Sequence, residues 1–218
     1  MMLLTSLFVA NACLTHAQKI EKTISYYLTS QDFVNGKTSR DGMVAKIPLQ
    51  KGAATLISKI SDPAEKKGGR INVMPWSVLM DKDTLFNFRY CPELQGFEVY
   101  VKPDIIGEYC VVFADKDLLR TIGSKGPYYG GGLSGALIAE SRKWGRNWTD
   151  ENGDNIKIFI NQTTKTERDG VWGKNAIWKI LTRKNANDLL NVNLSDAQLE
   201  ALTIAELRNM IYEKNKKR

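Results

Sequence analysis

Histidine is nearly missing from this chain: the single one, His16, lies inside the uncharged first stretch. Once that stretch is removed, no Ser-His-Asp or Cys-His site can be built, nor a zinc site with a histidine ligand, nor a histidine general base. No serine is followed three residues later by lysine, so the serine–lysine type of hydrolytic motif is missing too. Cysteine is scarce, with only Cys13, Cys91 and Cys110. No apolar run approaches the roughly 20 residues that a membrane-spanning helix needs. The chain also lacks internal repeats and long low-complexity segments. Acidic residues are the minority, 24 against 31 Lys and Arg, for a formal charge of +7. That surplus favours acidic partners, although part of it sits in the tail Lys214, Lys216, Lys217 and Arg218, where a solvated charged end is the simplest reading.

What is present begins with a leader. Met1 to Gln18 carries no acidic or basic side chain, and Met2 to Leu14 is mostly apolar. Thr15-His16-Ala17 then fits the small-x-small rule for signal cleavage, so residues 1–17 are expected to be a signal peptide and the mature chain to start near Gln18. The basic residue usual before the apolar run is missing. Ala10-Asn11-Ala12-Cys13 offers a second route, a lipoprotein anchored through Cys13, although Leu is wanted three residues before that Cys. Either way the expected location is extracytoplasmic, periplasmic or secreted. The mature chain then keeps Cys91 and Cys110, an even pair in a compartment that permits disulfides.

Of the 218 residues, 43% are hydrophobic and 25% charged, which suits one globular domain. The organising stretch is Thr84 to Phe113. Leu85–Tyr90, Phe97–Val101 and Tyr109–Phe113 read as three strands of an antiparallel meander, separated by Pro92–Gly96 and Pro103–Gly107. Cys91 and Cys110 fall at its outer strands, where a disulfide would stabilise by about 3 kcal/mol. Before it, Lys19–Leu28 and Gly42–Leu49 read as strands, Ile71–Met80 as a strand broken at Pro75, and Ala53, Leu56, Ile57 and Ile60 recur at helical spacing. After it, Asp115 or Asp117 caps a short helix, Asn155–Asn161 alternates as a strand paired with Arg146–Thr149, and Asn175–Lys184 reads as a helix. Two capping boxes, Ser195 with Gln198 and Thr203 with Glu206, predict a short helix, a bend, and a helix from Ile204 to about Asn215. The expected architecture is α+β: a mainly antiparallel sheet with flanking helices in residues 18–190, and a helical segment in 191–218.

Several patterns carry chemistry. Two carboxylates across a cleft suffice for glycoside hydrolysis, and Glu98, Asp104, Glu108, Asp115, Glu140 and Glu167 are available. Gly130-Gly131-Gly132-Leu133-Ser134-Gly135 matches GxGxxG, but it does not follow a strand directly, so no dinucleotide cofactor is expected. With Tyr128 and Tyr129, this loop suits a ligand lid. Trp144, Trp148, Trp172 and Trp178 are interleaved with Arg142, Lys143, Arg146, Arg168, Lys174 and Lys179. Aromatic faces beside cations stack sugars or bases; the alternative for such tryptophans is that they anchor a core. Asp150, Asn152 and Asp154 have the glycine in the wrong register for a calcium loop, so a hairpin turn is expected there and no metal.

Leu202-Thr203-Ile204-Ala205-Glu206-Leu207-Arg208-Asn209-Met210-Ile211-Tyr212 resembles the opening of the YARHG domain, a small module of extracellular bacterial proteins. Arg208-Asn209-x-Ile211-Tyr212 is the matching core. Glu213-Lys214-Asn215 departs from the expected Ala-Arg-His-Gly, and the second half of the module is not there. The resemblance implies an extracytoplasmic setting. The expectation is therefore a cell-envelope-associated binding protein for an acidic glycan or other envelope component. Its candidate ligand residues are Tyr128, Tyr129, Trp144, Trp148, Trp172 and Trp178. An exported protein has little use for nucleic acid. A carboxylate-dependent glycan hydrolase is the alternative.

Overall fold

The computed structural model describes residues 20–65, 74–92, 99–125, 148–169 and 173–217. The leader, the glycine-rich loop with Tyr128 and Tyr129, Trp144, Trp172, Glu98 and Glu140 lie outside the described residues.

The first half of the chain is β-sheet: β1 (Ile20–Tyr27), β2 (Arg40–Ile47), β3 (Leu49–Lys51), β4 (Ala54–Leu56), β5 (Lys59–Ser61), β6 (Ser77–Met80), β7 (Asp83–Asn87) and β8 (Val99–Val101). All pairings are antiparallel, in the order β3-β4-β8-β7-β6-β1-β2-β5. The two ends of that order belong to one hairpin. Val44–Ser61, Ala45–Ile60 and Lys46–Lys59 share one continuous register with Leu49–Leu56, Gln50–Thr55 and Lys51–Ala54. Pro48 and Ser58 merely interrupt its two strands, since proline cannot donate to a ladder. The sheet therefore closes on itself as an antiparallel barrel, which removes its free edges. The interior is lined by Ile24 and Tyr26, Met43, Ala45 and Ile47, Ile57 and Ile60, Val78 and Met80, Leu85, and Tyr100.

The helix expected over Ala53–Ile60 is thus a bent strand. Ala54 and Leu56 face outward, whereas Ile57 and Ile60 face the barrel interior. The interruption shifts the side-chain phase, and the shifted alternation imitates helical spacing. The meander also divides. Its first two strands pair as β7 and β8, the end of the first becoming a 3-10 turn, Phe88–Tyr90. The third, β9 (Tyr109–Ala114), leaves for a second sheet, where it pairs with β10 (Lys157–Gln162). On its other side β10 pairs with β13 (Lys179–Leu181). The latter falls where a helix was expected over Asn175–Lys184; a partner strand decides between helix and strand for so short an apolar run. Between them β11 (Glu167–Asp169) and β12 (Gly173–Asn175) form a separate hairpin. Thr149 meets Asn155 through a single bridge, and Asp150 Oδ1 accepts from the N–H groups of Asn152 and Asp154, making the expected turn.

The second sheet is buried on both faces, and its alternation shows it. Cys110, Val112, Ala114 and Phe159 face the barrel, meeting Ala54, Phe86, Val99 and Val101. Helix α1 (Ser30–Val34) adds Phe33 to this layer, and α2 (Lys116–Lys125) adds Ile122, Leu118 and Leu119. Asp115 caps α2 by accepting from Leu118 N–H at 2.7 Å. The other face, with Tyr109, Val111, Ile158, Ile160 and Leu181, is covered by Trp148 and the C-terminal helices: α3 (Ala186–Leu190), α4 (Asp196–Ala201) and α5 (Ile204–Lys216). Both predicted capping boxes form, and Leu199, Leu202, Leu207 and Ile211 are the buried side chains they place. The architecture is α+β and mainly antiparallel sheet. Among the described residues no helix is long and apolar enough to cross a membrane.

The Cys91–Cys110 bridge is not formed: both residues are buried, and neither is in a disulfide. The division of the meander explains this. Cys91 follows the turn that ends the barrel strand, whereas Cys110 belongs to the second sheet, its Sγ directed to Gly107 O at 3.5 Å.

Strand β9 has an outer edge, and it is saturated. Asn215 of α5 accepts from Tyr109 N–H at 2.9 Å and donates to Tyr109 O at 3.0 Å. Val111 exchanges hydrogen bonds with Ile105, and Asp104 Oδ2 accepts from Phe113 N–H at 2.7 Å. Gly107 lies under the Asn215 amide, where an added Cβ would come within 2.5 Å of it. Asn215→Ala is expected to cost about 1–3 kcal/mol, because two backbone groups lose their partner. Gly107→Ala should displace the same amide, so the double variant should cost little more than the worse single one in urea unfolding. Additive losses would show that Asn215 and Gly107 act separately.

Candidate functional site

One cleft among the described residues gathers polar side chains from distant parts of the chain. It has a volume of about 270 Å³ and is lined by Glu108, Tyr109, Gln162, Asn191, Lys214 and Lys217. Its position follows from the fold. Strand β9 begins here, β10 ends here, and the last turn of α5 passes alongside, held by the Asn215 clamp on Tyr109. One wall is pre-set by Gln162, whose Nε2 donates to Glu108 Oε1 at 3.1 Å and to the Tyr109 hydroxyl at 3.4 Å. The Thr164 hydroxyl also reaches Glu108 Oε1, at 3.4 Å, and the strand end is tied by Thr163 N–H to Glu108 O at 2.8 Å. The opposite wall is cationic. Lys214 Nζ donates to Asn191 O at 3.2 Å, and Lys217 stands exposed one turn further on. Asn191 sits in the left-handed region, φ 49°, as the C-cap of α3. Asn187 braces the segment beyond it, donating to Leu194 O and accepting from Leu194 N–H.

Chemically the cleft offers one carboxylate, one phenol, two side-chain amides, and two ammonium groups. This set accepts from hydroxyls on one side and pairs with an anion on the other. It holds no nucleophile–base pair. Only one carboxylate lies in it, where glycoside hydrolysis needs two. The other described candidates have local partners. Asp104 accepts from Phe113 and lies 3.9 Å from Arg208; Asp115 caps α2; Glu167 is ion-paired with Lys179. No group of three or more His, Cys, Asp or Glu side chains is placed to hold a metal among the described residues.

Of the expected ligand residues, Trp148 and Trp178 lie among the described residues. Trp178 is 0% exposed, its ring packed at 5.1 Å from Phe88 and 5.7 Å from Phe86. Trp148 is 2% exposed; its Nε1–H donates to Leu181 O at 2.8 Å, and the Arg183 guanidinium lies 4.5 Å from its ring. Both are core residues, because each side chain is enclosed between the second sheet and a neighbouring layer. Tyr128, Tyr129, Trp144 and Trp172 lie outside the described residues. In the sequence Glu108 stands out only as a carboxylate, and Lys214 and Lys217 only as tail charge. Gln162, Asn191 and Tyr109 carried no signal, since nothing local marks residues that meet only when β10, α3 and α5 converge.

No protein-family description, curated protein or solved structure matches the chain, and the likeness of residues 202–212 to the opening of a YARHG domain rests on those residues alone.

Proposed function

We propose that the protein is an extracytoplasmic, cell-envelope-associated binding protein whose ligand is an acidic glycan, held in the cleft between β9, β10 and α5. The observation that carries this is the pairing of walls: Lys214 and Lys217 on one side, and the braced Glu108–Gln162–Tyr109 set on the other. A uronic-acid residue presents the complementary groups, a carboxylate for the ammonium groups and ring hydroxyls for the carboxylate and amide. The volume suits one sugar unit. The signal-like start, the +7 charge and the YARHG resemblance support the location and the acidic partner. Nothing in the cleft favours the alternative of a carboxylate-dependent hydrolase, because Glu108 has no second acid beside it there.

Retention on immobilised polyuronate tests this. The Lys214→Ala/Lys217→Ala double variant should bind roughly tenfold more weakly, the loss of one charge-assisted hydrogen bond or so. Binding should also weaken as salt rises. Lys184→Ala, outside the cleft, should bind as the parent does. Equal retention of the parent and the double variant would sink the site. Release of reducing ends from the polymer would replace binding by hydrolysis.

A further inference from the structure

The buried polar atoms left without a partner among the described residues are Ser77 Oγ, Asn161 Nδ2 and Oδ1, and Trp178 Nε1. Their positions are related. Asn161 is the cross-strand partner of Cys110. Ile158 opposes Leu181 and Ile160 opposes Lys179, so the same register carried one residue further sets Trp178 opposite Asn161. Directly opposed residues of antiparallel strands project to the same face about 5 Å apart. Cys110, Asn161 and Trp178 thus form a row across the second sheet, on the face turned to the barrel. The next row is Val112, Phe159 and Ile180, which is wholly apolar. Ser77 approaches this layer from the barrel side: it is the cross-strand partner of Phe86, whose ring lies 5.7 Å from that of Trp178.

Each of these atoms has given up water on folding, and an unmade hydrogen bond in a buried setting is a net loss. An Ile or Val at position 161 would match its neighbours and avoid it. Native interiors resolve such groups through ordered water or a bound molecule. The Asn161 amide offers a donor and an acceptor side by side, and the Trp178 indole adds a donor.

We propose that the Cys110–Asn161–Trp178 row is an internal binding site for a small neutral molecule carrying both a hydrogen-bond donor and an acceptor. The molecule donates to Asn161 Oδ1 and accepts from Asn161 Nδ2 and Trp178 Nε1. Water and a small amide-like or hydroxylated metabolite share this chemistry. The site is separate from the glycan cleft and does not depend on it.

The test uses the full mature chain. A high-resolution crystal structure should show density within hydrogen-bond distance of the Asn161 amide, and Asn161→Leu should abolish it. Native mass spectrometry separates the two sources: an added mass lost on denaturation identifies a metabolite, and no added mass identifies water. Asn161→Leu should lower the Tm by about 3 °C or more, since it removes the anchor of an occupied site. If the atoms truly lack a partner, the same change should raise the Tm, because it replaces an orphaned amide by an apolar side chain of similar size. A raised or unchanged Tm together with no density at the parent's Asn161 overturns the proposal. Should Asn161→Leu fail to fold, the density beside Asn161 in the parent decides alone.

Discussion

Between pH 9 and 12 the folded protein should lose on the order of 5 kcal/mol of stability, as two buried acids are forced toward their charged forms. Burial pushes the Cys110 thiol up from 9.0 to about 12. Burial likewise raises the Tyr90 hydroxyl from 10.0 to about 12, with Arg89 pulling slightly the other way. Both folded-state values lie above the unfolded ones. Their contribution is therefore fully present below about pH 9 for the thiol and about pH 10 for the phenol. It fades as pH rises toward 12, because the unfolded chain releases protons that the folded chain retains. A loss of this size is comparable to the whole stability of many domains, so unfolding within this window is the expected result. Urea midpoints at pH 8, 9.5 and 11 measure it. Cys110→Ala should make the profile less steep between pH 9 and 10, where the unfolded-state Cys110 thiol loses its proton. A midpoint unchanged from pH 8 to 11, or rapid thiol labelling of folded protein at pH 8, would contradict the burial of Cys110.

Trp148→Ala should destabilise the protein by about 3–5 kcal/mol while leaving ligand retention per folded molecule unchanged. The ring fills the space between the second sheet and the C-terminal helices, among Ile158, Leu181 and Leu207. Its indole N–H satisfies Leu181 O, so truncation also orphans a carbonyl. The Arg183 guanidinium beside the ring donates to Leu199 O and to Leu202 O, tying the end of α4 to the same core. The loss should therefore loosen α4 and α5 together, which hydrogen exchange of those helices would reveal. A variant that keeps its melting temperature and loses retention would reverse the assignment of Trp148 from core to binding face.

Where a residue's role depends on its immediate neighbours, it was legible in the sequence. The two C-terminal capping boxes bond Ser195 to Gln198 and Thr203 to Glu206 within three residues, and both form as read. The Asp115 cap of α2, the turn at Asp150 and the alternation of Ile156, Ile158 and Ile160 depend on the same short range. These elements also settle the class, α+β with a mainly antiparallel sheet and a helical C-terminal segment.

Tertiary structure decided the rest, for one physical reason: a strand's fate is set by the partner that completes its hydrogen bonds, and that partner is remote. The run at Ala53–Ile60 has an apolar spacing that a helix and a bent strand both satisfy. Pairing with β2, β3 and β8 selected the strand. Tyr109–Ala114 has the composition of a third meander strand, yet β10, some 45 residues further on, took it and Cys110 into another sheet. Trp148 and Trp178 have the same sequence surroundings in a binding face as in a core; only the layers closing over them made them core. The cleft is the extreme case, since Glu108, Gln162, Asn191 and Lys214 become neighbours only through the convergence of β9, β10, α3 and α5.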